Sequence, residues 1–125
     1  MIKLLLLMIF CHIVDDYYLQ QGLLSKLKQK QWWLKHDEYK PLYENDYKMA
    51  LLIHSMSWSI MILLPSLFLL QTNSILILSC FIINTVIHYH IDDLKANKNK
   101  INLIFDQTIH IMQIFATWIL IVQNW

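Results

Sequence analysis

Apolar residues along the chain gather into four long runs separated by polar connections, at about residues 2–19, 49–70, 75–93 and 101–124. A helix that crosses a bilayer needs about 20 predominantly apolar residues. The second run, "MALLIHSMSWSIMILLPSLFLL", and the fourth reach that length unaided. The first and third reach it only with their polar ends "HIVDDYYL" and "HYHIDD" included. Pro65 lies inside the second run, where a membrane helix tolerates a proline because neighbouring groups satisfy the freed backbone. The connection "QTNS" (71–74) predicts a tight turn, and "LKANKNK" (94–100) a short basic one. Between the first two runs lies a polar insert, 20–48, with Leu23, Leu24, Leu27, Trp32, Trp33 and Leu34 at roughly helical spacing. That pattern predicts an amphipathic helix on the membrane surface, with Trp and Lys at headgroup level; a soluble loop whose tryptophans cap the bundle is the alternative. The pattern as a whole reads as all-α: one membrane-embedded domain, 1–125, of four antiparallel transmembrane helices plus an interfacial amphipathic helix.

Composition supports a bilayer over water as the solvent. Of 125 residues 57% are hydrophobic and 15% charged, against about 45–50% and 25% in ordinary soluble domains. The ten basic residues are all lysine and the net charge is +1, which gives no footprint for nucleic acid. Nine of those lysines fall in the 20–48 and 94–100 connections, so the positive-inside rule places both connections in the cytoplasm and both termini outside. "MIKLLLLMIF" invites comparison with a signal peptide, but "CHIVDDYYLQ" follows it without a small-residue cleavage site, so it reads as a retained helix. Cys11 and Cys80 stand alone in apolar runs and read as small packing residues.

Three histidine–aspartate pairs share the i,i+4 spacing that stacks two side chains on one helical face: His12 with Asp16, His88 with Asp92, and Asp106 with His110. His54 stands alone early in the second run. In an up-down bundle all four contributions arrive at one membrane face. At about 1.5 Å rise per residue, each histidine lies about 16–24 Å from the outer interface, inside a hydrocarbon core about 30 Å thick. Ionisable groups at such depth are costly and face the bundle interior, paired or functional. Imidazole with carboxylate suits zinc, manganese or iron. The seven residues His12, Asp16, His54, His88, Asp92, Asp106 and His110 therefore form a candidate site for one or two divalent ions. Three carboxylates against two divalent ions leave one positive charge, which a bridging hydroxide neutralises. Gln20, Lys95 and Gln107 lie beside these faces as supporting or substrate-contacting groups. The competing reading is that the pairs satisfy one another as packing contacts between helices. Asp15, Asp93 and His90 point away from the paired faces and are expected at headgroup level, and His36 on a solvated surface. Ser55, Ser57, Ser59 and Thr117 are expected to pack helices together.

In "HIVDDYYLQ", "LLIHSMSW", "HYHIDDLK" and "FDQTIH" the chain resembles a family of small bacterial and phage membrane proteins catalogued as domain of unknown function 3307. That family's pattern is His-x-x-x-Asp-x-x-x-Gln, a lone His opening the next span, His-x-x-x-Asp-x-x-Lys, and Asp-Gln-x-x-His. The 20–48 insert and the extra acids Asp15 and Asp93 depart from it. The resemblance implies a multi-pass protein of the bacterial inner membrane with a shared polar cluster, and it carries no reaction. A looser similarity, in helical His/Asp ligands alone, is to membrane-bound metal-dependent hydrolases.

Two functions are thus expected from the sequence. One is a metal-dependent hydrolase acting on a lipid or membrane-associated substrate, with Asp16, Asp92 or Asp106 as the general base. The other is a non-enzymatic module for ion binding or for contact with a partner protein. A second copy of the chain is a further candidate partner.

Overall fold

The computed structural model describes residues 1–35 and 40–125; the expected solvated histidine, His36, lies outside them. Four helices carry the architecture: α1 (Ile2–Val14), α5 (Asp46–Leu69), α6 (Ser74–Ala96) and α7 (Leu103–Gln123), with no strand among the described residues. They pack as a ring in which α1 meets α5, α5 meets α6, α6 meets α7 and α7 closes against α1. Trp118 Nε1 donates to the Met1 carbonyl at 3.1 Å, tying the start of α1 to the end of α7. The last residue of each turn caps the helix that follows. Asn73 accepts from the Ile75 N–H at 2.8 Å and Asn102 from the Phe105 N–H at 2.8 Å, each satisfying an orphan donor of a helix N-terminus.

Helices α5, α6 and α7 are long and apolar enough to cross a membrane. The first is shorter than the expected span. After 13 residues of α-helix it widens into a five-residue π-turn, Asp15–Leu19. The chain then reverses at Gly22, whose φ of +83° lies in the left-handed region open to glycine.

The insert departs from the single amphipathic helix its spacing suggests. Among its described residues it folds as three short helices, α2 (Leu23–Leu27), α3 (Lys30–Leu34) and α4 (Lys40–Tyr43). The break has a local cause. Gln29 is extended, and the Asn97 side chain reaches from the end of α6 into the gap. Asn97 accepts from the Lys30 N–H at 2.7 Å and donates to the Lys28 carbonyl at 3.2 Å, so it takes over the backbone groups that a continuous helix would pair internally.

Burial is inverted relative to a protein packed for water. Among the described residues sixteen polar or charged residues are buried and ten hydrophobic ones, while Phe10, Ile60, Phe68, Ile82, Ile104 and Met112 face outward. The buried aspartates are all paired, as aspartate is when it is fully buried. The interior divides into levels. Leu4, Met8, Trp58, Ile62, Leu63, Cys80, Ile114 and Ile121 form an apolar core. Beside it runs a set of hydroxyl and amide contacts: Thr85 to Ser59 at 3.0 Å, and Asn84 to Thr117 at 2.8 Å. The histidines and aspartates occupy the end at which α1 finishes and α5 begins.

Candidate metal centre

Each helix delivers its polar groups for a reason visible in its own sequence. On α6, His88 and Asp92 are one turn apart and face inward, as do Asp106 and His110 on α7. All four are buried, and His54 joins them from the third turn of α5. On α1 the π-turn changes the expected register. A π-turn admits an extra residue per turn, so the adjacent residues Asp15 and Asp16 both turn toward the bundle. Gln20 donates to Asp15 Oδ2 at 2.7 Å and to Asp16 Oδ1 at 3.0 Å, clamping the two carboxylates together. Asp15 is therefore fully buried rather than at headgroup level, and it also accepts from Ser57 at 2.7 Å. Asp93 differs from expectation as well: it is buried at the end of α6 and paired with Lys98 at 2.7 Å and Asn97 at 3.0 Å. His90 is exposed.

The imidazoles converge. His54 Nε2 and His88 Nε2 are 2.9 Å apart, and Asp92 Oδ2 is 2.9 Å from His54 Nε2. His88 and His110 stack with ring centroids 4.0 Å apart. Two imidazolium ions at that separation would repel by about 4 kcal/mol at an effective dielectric of about 20, so the stack holds at least one neutral ring with a lone pair. Two groups of three have ligand atoms within 4.8 Å of one another: Asp16, His54 and His88, and His88, Asp92 and His110.

Hydrogen-bond chemistry assigns the tautomers. Indole nitrogen only donates, so Trp58 Nε1, 2.8 Å from His12 Nδ1, makes that nitrogen an acceptor. Neutral His12 then carries its proton on Nε2 and donates it to Gln107 Oε1 at 3.1 Å. Both nitrogens of His12 are thus engaged, and it belongs to neither group of three. Gln107 passes the contact on, its amide donating to Asp16 Oδ2 at 3.0 Å and Asp106 Oδ2 at 3.1 Å. On the opposite side Gln113 Oε1, which can only accept, lies 3.2 Å from His110 Nδ1. His110 in its neutral form therefore presents a bare Nε2. That atom faces Asp92 Oδ1 and Asp106 Oδ1, each at 3.4 Å, and makes no hydrogen bond; nor does Asp106 Oδ1.

Two lysines close the cluster. Lys28 Nζ, from the end of α2, reaches Asp92 Oδ2 at 2.7 Å and Gln20 Oε1 at 3.2 Å. Lys95 Nζ meets Asp106 Oδ2 at 2.6 Å. Sequence spacing had singled out Gln20, Lys95 and Gln107 but not Asp15, Lys28, Trp58 or Gln113. Gln113 carried a readable signal, three residues after His110 on the same face. Lys28 carried none, its partner lying 64 residues away.

Searches among curated proteins and among solved structures find no match to this chain. A family match does exist, and it spans residues 4–125, so every group in the cluster falls within it. The chain belongs to the family described as "Protein of unknown function (DUF3307)".

Proposed function

We propose that the chain is a four-span membrane domain that binds one divalent ion (zinc, manganese or iron) in the His/Asp cluster, and that it hydrolyses an ester, phosphoester or amide of a lipid or membrane-associated substrate there. One observation carries the proposal. In neutral His110 the bare Nε2 faces two carboxylate oxygens at 3.4 Å, and neither it nor Asp106 Oδ1 has a hydrogen-bond partner. A lone pair and two anionic oxygens at that spacing repel unless a proton or a metal cation lies among them, and a divalent ion can be ligated by all three at once. Ligands of a four-coordinate zinc, with bonds of about 2.0–2.1 Å, stand about 3.3 Å from one another. The Gln113 acceptor behind His110 Nδ1 is the orienting partner that ligating histidines commonly have.

Charge supports one ion over two. Asp15, Asp16, Asp92 and Asp106 bring four negative charges, and Lys28 and Lys95 return two positive ones. With neutral imidazoles the remainder equals one divalent ion. In this reading His88, His110, Asp92 and Asp106 hold the metal and His54 completes the set. His12 acts through Gln107, and Asp16, the most accessible of the three candidate bases, takes the proton from water. A bound divalent ion supplies Lewis acidity and lowers the pKa of water toward neutrality. The lysine-rich end lies in the cytoplasm, and α1 with its π-turn crosses as the fourth span. Metal analysis of the purified protein beside a His88→Ala/His110→Ala variant tests the reading: one ion per chain, lost in the variant, is expected, and absence of metal from both refutes it.

A second reading has its own support. The ion pairs of Lys28 and Lys95 already satisfy one oxygen each of Asp92 and Asp106, as a purely structural polar core requires. A non-enzymatic module of that kind keeps its function when the histidines are replaced and loses it when the half-buried Trp32/Trp33 region is changed.

A further inference from the structure

A cluster this deeply buried is reached either from water, along the bundle axis, or from the side, between helices. The end that carries the lysines is crowded. Lys28 and Lys95 lie across Asp92 and Asp106, Gln20 fills the space beside them, and Asn97 fixes the backbone of residues 28–30 over the opening. The side between α1 and α7 is open. A groove of about 590 Å³ runs there, lined by Ile9, Ile13 and Ile111, by His12 and Gln107, and by Tyr17, Tyr18 and Gln21 beyond the end of α1. That volume lies within the range of about 300–1,000 Å³ usual for sites that hold small ligands. Ile13 and Tyr17 are also exposed on the outer face of α1, the face that lipid covers if α1 crosses the bilayer.

We infer that the cluster receives its ligand laterally from the bilayer, and that the ligand is a membrane lipid. Its acyl chain lies along Ile9, Ile13 and Ile111, and its ester or phosphoester oxygens meet His12 and Gln107. The inference deepens the reading above and, for what happens to the lipid, rests on it. The chemistry of His12 and Gln107 fits acceptor oxygens. The tautomer set by Trp58 leaves His12 with an Nε2–H, and Gln107 brings amide N–H groups. An oxygen that displaced the Gln107 carbonyl would take the His12 proton as its own hydrogen bond. Gln107 is also the residue whose amide touches both Asp16 and Asp106, so a head group bound there is one side chain away from the carboxylates.

The test uses the full chain reconstituted in phosphatidylethanolamine/phosphatidylglycerol vesicles that contain a phosphatidylglycerol with a photoactivatable diazirine on its acyl chain. After irradiation, labelled peptides are mapped by mass spectrometry. Labelling around Ile9, Ile13 and Ile111 is expected to exceed that at ordinary lipid-facing positions such as Phe68 and Ile82. Filling the groove with Ile13→Trp, or independently from the other wall with Ile111→Trp, is expected to lower groove labelling severalfold and leave Phe68 and Ile82 unchanged. Groove labelling no greater than at Phe68 and Ile82, or unmoved by both variants, overturns the inference. Metal content measured on the same samples separates the two proposals. Bound metal without groove labelling sinks the lateral route alone, and groove labelling without metal sinks the metal reading while supporting the route.

Discussion

Replacing Lys28 by methionine tests the cluster's charge balance in isolation, because the variant keeps most of the side-chain volume and deletes only the ammonium. Lys28 Nζ lies 2.7 Å from Asp92 Oδ2, and the side chains are 17% and 5% exposed. Breaking a buried ion pair by removing one partner costs about 3–5 kcal/mol, because the other charge is left uncompensated. Here the loss is expected near the lower figure, since His54 Nε2 still touches the same oxygen at 2.9 Å. The reverse change, Asp92→Asn, frees a lysine whose flexible stem can carry its ammonium to the headgroups, so in the absence of metal it is expected to cost less, about 1–2 kcal/mol. Metal then reverses the order. Lys28→Met leaves the cluster one charge more negative and so attracts a divalent ion more strongly. A ligand at 100 times its Kd returns about 2.7 kcal/mol. Unfolding in detergent micelles, followed by far-ultraviolet circular dichroism with chelator and then with zinc, reads both effects. The reasoning fails if Lys28→Met in chelator lies within about 0.5 kcal/mol of the parent, the range of an ordinary surface change, or if zinc stabilises it no more than the parent.

Other outcomes follow from the same contacts. Gln113→Leu removes the acceptor behind His110 Nδ1 and is expected to weaken zinc binding about 10–100-fold with little change in helicity, as read by competition with a chromogenic chelator. Trp58→Phe leaves His12 Nδ1 without its donor in a buried place, at a cost of about 1–3 kcal/mol, measured by the same unfolding assay. Asn97→Ala frees the backbone of residues 28–30 and is expected to speed hydrogen exchange in residues 28–34 while α5, α6 and α7 stay protected. Protons compete with metal for imidazole lone pairs, so zinc affinity is expected to fall as pH is lowered; affinity independent of pH from about 5 to 8 would exclude histidine ligation.

The spans and the convergence were legible because both depend on periodicity. Long apolar runs gave α5, α6 and α7, and the i,i+4 spacing of His88 with Asp92 and of Asp106 with His110 fixed which face each pair shares. Asp15 was misjudged because an α-helical frame turns it away from His12 and Asp16, whereas the π-turn brings it back; nothing in "VDDYYL" announces a wider turn. The insert's spacing was helical, but Asn97, some 70 residues later in the chain, interrupts it. Lys28 read as one more headgroup lysine because its partner, Asp92, lies on another helix. Trp58 carried no local signal of a role, yet its N–H settles the tautomer of His12. Long-range polar contacts leave no local signature, and they decide which nitrogen of each histidine is free.

X-ray absorption at the zinc edge of the metal-loaded protein in lipid nanodiscs tests the central claim most directly, since it reads the ligands themselves. The account expects one zinc per chain with nitrogen and oxygen neighbours at about 2.0–2.2 Å and the multiple-scattering pattern of at least two imidazoles, lost in His88→Ala/His110→Ala. A zinc spectrum without imidazole scattering, or one unchanged in that variant, would contradict it.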